Sequence, residues 1–98
     1  MSDSIVACQI LINSGMAWNL EGHVGRICMD AIKTGACMLG AEPRQGAFGN
    51  IVPARTDAVA GGIGSREYVV ETFGEGHAQM LELLPNESDL EVLTSILF

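Results

Sequence analysis

Basic residues are scarce in this chain: five Lys and Arg stand against twelve Asp and Glu in 98 residues, a formal net charge of −7. A deficit of that size repels a phosphate backbone and disfavours direct DNA or RNA binding. Cysteine is limited to Cys8, Cys28 and Cys37, an odd number with no C-x-x-C pair. That argues against a disulfide framework or a thiolate zinc site, and the apolar neighbours of all three mark them as buried small hydrophobes. No apolar run approaches the roughly 20 residues that span a bilayer. The longest, residues 5–12, is broken by Gln9 and lacks the basic start and small-residue cleavage site of a signal peptide. The expectation is a soluble, cytoplasmic protein with no membrane partner.

Catalytic signatures are missing as well. His23 and His77 are the only side chains that titrate near neutrality without perturbation. Neither shows an H-x-x-x-H or H-x-x-E spacing, so no metal site is expected. A pairing of Cys28 or Cys37 with either histidine is left open by the sequence, but nothing local marks it. The chain reads as a non-enzyme with no catalytic residue and no cofactor.

What is present is apolar content: 48% hydrophobic residues and a mean hydropathy of +0.29. A chain this short forms one domain with one modest core, so part of that surface is expected to close against a partner or a second copy, as in a homodimer. Residues 4–14 (SIVACQILINS) predict a helix, with Ser2, Asp3 or Ser4 as N-cap and Gly15 as its stop. Their β-branched content keeps a strand open. Leu20, Val24, Ile27, Cys28 and Ala31 recur at helical spacing and predict a helix over 19–34, closed by Gly35. Residues 40–64 hold six glycines and two prolines without periodicity. Phe48, Ile51, Val52, Val59 and Ile63 nevertheless anchor this stretch, which reads as an ordered loop with a short strand or 3₁₀ turn. Helices follow at 65–73 (N-cap Ser65), 77–84 (stopped by Pro85) and 87–97 (N-cap Asn86). The sum is one all-α domain of about five short helices around one long Gly/Pro-rich loop.

Two constellations stand out. Gly61-Gly62-Ile63-Gly64-Ser65-Arg66 is a glycine-rich turn feeding a helix N-terminus, a geometry that suits an anion. With the arginines of the loop region it gives a candidate anion site of Arg44, Arg55, Gly62, Gly64, Ser65 and Arg66. It matches no phosphate-loop pattern, and glycine before an N-cap serine is also ordinary helix punctuation. The second is acidic. Residues 66–98 carry seven acids against Arg66 alone, whereas residues 1–65 carry five against four bases. Glu67, Glu71 and Glu75 recur at i, i+4, i+8, about 6 Å apart on a helix, near the spacing of successive phosphates along a strand. They read either as a phosphate-mimicking stripe, extended by Glu82, or as a solvated face; Gly74 threatens to end the helix before Glu75.

The succession Ser14-Gly15-x-Ala17-Trp18-x-Leu20-Glu21-Gly22, Cys37-Met38-Leu39-Gly40, Gly49-Asn50-x-Val52-Pro53-x-Arg55 and Gly64-Ser65-x-x-Tyr68-Val69 resembles a group of small proteins encoded by bacteriophages and prophages. The resemblance spans residues 14 to about 84 and carries no functional residues with it. It implies a viral protein acting in the cytoplasm of an infected bacterial host. By type, it points to an inhibitor of host defence such as an anti-CRISPR protein, an associational argument. Three functions follow as expectations. One is an inhibitor that binds a host protein or ribonucleoprotein defence complex, such as a CRISPR surveillance complex, through Glu67, Glu71, Glu75 and Glu82. Another is a sponge that sequesters a nucleotide with the Gly-rich loop and its arginines. The third is an oligomeric phage accessory or structural protein.

Overall fold

The computed structural model describes residues 3–18, 23–45, 49 and 51–84. The first segment is a helix, α1 (Asp3–Ser14), and not the strand that its β-branched content left open. Every residue from 7 to 14 is buried, so α1 is the central element of the described fold, apolar on most sides with Gln9 and Asn13 among its buried polar positions. A 3₁₀ turn, Met16–Trp18, follows it. Next comes α2 (His23–Thr34), which is amphipathic: Cys28 and Ile32 are buried, while Arg26, Asp30 and Lys33 face water. Residues 19–22, where the helix was expected to begin, lie outside the described residues.

Within residues 40–64 the described residues include a minimal antiparallel hairpin, β1 (Arg44–Gln45) against β2 (Ile51–Val52), with Arg44 opposite Val52 and Gln45 opposite Ile51. A second 3₁₀ turn covers Arg55–Asp57. Two short helices complete the described chain, α3 (Arg66–Phe73) and α4 (Glu75–Glu82), packed against each other. The last of these was expected over 77–84. It begins two residues earlier because Gly74, at φ +98°, turns the chain sharply and lets α4 start at once. The helix expected over 87–97 lies outside the described residues. The fold is mainly helical, and no described helix is long and apolar enough to cross a membrane.

The larger buried cluster joins Ile10, Leu11 and Ile12 of α1 to Cys28 and Ile32 of α2 and to Cys37. The smaller joins Met38 to Val69, Ala78 and Leu81 beneath α3 and α4. All three cysteines are free and buried. Between the clusters runs a polar ladder on α1. Gln9, fully buried, accepts from Met38 N at Oε1 and donates from Nε2 to Met38 O, both at 2.9 Å, and also to Asn13 Oδ1 at 2.9 Å. The Gln9 amide thereby replaces the strand partner that residue 38, in an extended link, otherwise lacks. No buried side-chain nitrogen or oxygen among the described residues is left without a partner.

Candidate functional site

Ser65 caps α3: its Oγ accepts from Tyr68 N at 3.2 Å and donates to Gly62 O at 2.6 Å. The glycine-rich turn before it closes on itself, with Gly62 N donating to Val59 O (2.7 Å) and Ser65 N to Gly62 O (3.0 Å). Leu39 N donates to Gly64 O at 3.0 Å, tying the turn to the link after α2. The amide groups of Gly62 and Ser65 therefore point into the turn rather than toward an external anion, and Gly64 and Ser65 are buried. Helix punctuation accounts for this segment.

The three arginines of the anion constellation separate. Arg44 lies over the end of α1, its Nε donating to Asn13 O at 3.0 Å, with Glu42 at 3.9 Å. Arg55 donates through Nε to Leu39 O (2.9 Å) and through Nη2 to Asn13 Oδ1 (3.2 Å), so it clamps the loop to α1 from the other side. Burial pushes the Arg55 pKa down from its ordinary value, yet an arginine so placed stays charged. Arg66 bridges the two short helices, pairing with Glu75 at the start of α4 and, at 2.6 Å, with Glu82 at its end. The hydrogen bond from Arg66 holds the Glu75 carboxyl below the usual carboxylate range, and the same contacts raise the Arg66 guanidinium. Arg55 and Arg66 do meet at one place, a cleft of about 320 Å³ lined also by Thr56, Ala58, Ala60, Glu67 and Glu82. Its two guanidiniums face two carboxylates, so the cleft is close to neutral.

The acidic stripe is shorter than the i, i+4, i+8 spacing suggested. α3 ends at Phe73, and Glu75 belongs to α4. Glu75 and Glu82, though exposed, are paired with Arg66. Glu67 and Glu71 remain exposed on α3, and among the described residues neither joins an ion pair. The pair α3–α4 still carries four carboxylates against Arg66, so its field stays negative.

The thiol–imidazole pairings left open by the sequence are not formed by His77. His77 Nε2 lies 2.7 Å from Ala36 O, and its ring stacks on Phe73 with centroids 4.9 Å apart. Cys37 Sγ instead donates to Ile5 O at 3.5 Å, and burial pushes that thiol up to about 12, the reverse of what a nucleophile needs. No group of three His, Cys, Asp or Glu that could hold a metal occurs among the described residues. Sequence reasoning missed the Gln9–Met38–Asn13–Arg55 ladder. Its only trace was a pair of amide residues, four apart, inside an otherwise apolar helix.

No family model, curated protein or solved structure matches the chain.

Proposed function

We propose that the chain is a non-catalytic binding protein that engages a basic surface on a host-defence protein or ribonucleoprotein through the acidic face of α3, and so inhibits it. The observation that carries this reading is the exposure of Glu67 and Glu71, one helical turn apart and in no ion pair among the described residues, with Glu67 at the border of the Arg55–Arg66 cleft. They sit on a helix pair whose one arginine is already occupied by Glu75 and Glu82. Charges left unpaired have no internal ion pair to break before they meet Lys or Arg, and they speed encounter with an oppositely charged surface. The resemblance to phage-encoded proteins supplies the defence target.

The test is charge reversal. Glu67 and Glu71 are exposed, so the E67K/E71K double variant should fold with an unchanged melting temperature. It should lose a partner captured from host lysate, with affinity falling about 10-fold or more at moderate salt. Retention of the same partner at undiminished affinity rejects the electrostatic reading.

A second reading has one specific observation in its favour, the meeting of Arg55 and Arg66 at the 320 Å³ cleft. There the chain would sequester a nucleotide, its phosphate displacing Glu82 from Arg66. Thermal shift against cyclic di- and trinucleotides decides between the two. This reading expects a rise of several degrees at saturating nucleotide that R66A abolishes; no shift with any of them removes it.

A further inference from the structure

A separate groove of about 350 Å³ is lined, among the described residues, only by uncharged side chains, in a chain of net charge −7. Trp18, Ile32 and Leu39 are among its walls, with Met29, Ile51 and Ile63, which are 42%, 68% and 56% exposed, also lining it. Large aliphatic side chains so exposed around one concavity leave an apolar surface in water that a partner would cover.

The charge beside the groove is opposite in sign to that of α3. Met29 is the groove residue on the outer face of α2, and Arg26 (i−3) and Lys33 (i+4) flank it on that face. Arg44, Arg55 and Arg66 are all committed to internal contacts. Among the described residues no ion pair or side-chain hydrogen bond engages Arg26 or Lys33. Asp30, four residues after Arg26 and three before Lys33, shares that face, so the edge keeps an excess of one positive charge. The uncommitted positive charge of this acidic molecule is thus gathered along one edge of its apolar groove.

We propose that this groove is a docking site for an amphipathic acidic segment of a protein partner. Its aliphatic side chains, spaced by a helical turn, fill the groove while its carboxylates meet Arg26 and Lys33. Among the described residues, the exposed acidic helix of a second copy, α3, offers only Phe73 as a large exposed hydrophobe. The site is independent of the acidic face of α3, so the two surfaces would hold different partners or two parts of one.

Trp18, the single tryptophan, lines the groove and reports its occupancy. The probe is a synthetic peptide with Leu at i, i+3, i+4 and i+7 and Glu at the positions between, a helix-in-groove ligand of the required charge. Titrated into the full chain, it should blue-shift the Trp18 emission saturably. I63D, at a solvent-exposed position, should abolish the shift while leaving the circular dichroism and melting temperature unchanged. R26E/K33E should weaken binding about 10-fold and should come to prefer the same peptide carrying Lys in place of Glu. E67K/E71K should bind the peptide as the wild type does, which separates this site from the acidic face. Equal binding of the Glu and Lys peptides by the wild type, or binding untouched by I63D, overturns the proposal. So does a dimer in light scattering that I63D converts to monomer, because the groove would then belong to a second copy.

Discussion

Gln9→Ala should destabilise the protein by about 3–5 kcal/mol, a large part of the stability of a domain this size. The side chain is fully buried and closes both backbone hydrogen bonds of Met38 at 2.9 Å. Removing it leaves a carbonyl and an N–H without partners in a dry site, and adds a cavity beside the central helix. The comparison with Gln9→Leu isolates the polar part, because leucine restores most of the volume and none of the hydrogen bonding. Urea unfolding should place both variants well below wild type. A Gln9→Leu protein as stable as wild type would show that the ladder is dispensable and that packing alone holds residue 38 to α1.

Gly35→Ala should cost about 2–4 kcal/mol, by two separable routes. Gly35 ends α2 at φ +86°, in the left-handed region, and a Cβ there would overlap the hydroxyl of Thr72 on α3. The close approach is fixed by Tyr68 Oη donating to Lys33 O at 3.0 Å, which draws the end of α2 onto α3. Combining the change with Thr72→Ala should recover the steric part and leave the backbone part, so the double-mutant cycle is non-additive. A Gly35→Ala variant within about 0.5 kcal/mol of wild type by chemical denaturation, well below that range, would mean that the two helices separate freely.

The two substitutions act on the joints that bring the surfaces into place. Gln9 and Arg55 hold the link after α2 and the long loop against α1, and the groove walls Leu39 and Ile63 rest on that link and loop. Gly35 sets the approach of α3, which carries Glu67 and Glu71. Binding at either surface is therefore expected to weaken in these variants in proportion to lost folding, without a specific effect on charge preference.

Much of the helical pattern was legible in the residues. Gly15 and Gly35 stop helices where their positive φ makes the stop inexpensive, and Ser65 caps α3 through Tyr68 N as its residue type foretells. These are local effects, decided within a turn of chain. Gly74 was equally legible as a break, yet not what followed it: the immediate restart of α4 turns Glu75 away from the line of Glu67 and Glu71 and onto Arg66. The arginines of the candidate anion site are dispersed for a related reason, with only Arg55 and Arg66 meeting at one cleft. Composition located three arginines near one glycine-rich turn, but an arginine's reach exceeds a residue's spacing along the chain. Each found a nearer acceptor, Asn13 O for Arg44, Leu39 O and Asn13 Oδ1 for Arg55, and two carboxylates for Arg66.

The sequence by itself determined a mainly helical chain, the positions of its helix stops and caps, its acidic last third, and the burial of its cysteines. All of these depend on near neighbours or on composition. Only the tertiary structure decided which charges stay free. Ion pairs such as Arg66–Glu82 and clamps such as Arg55–Asn13 join residues 16 and 42 positions apart, and such distances close only when the helices pack. Packing paired Glu75 and Glu82 with Arg66 and committed Arg44 and Arg55 to contacts with α1 and the link after α2. It left Glu67 and Glu71 on one surface, and Arg26 and Lys33 beside an apolar groove on another.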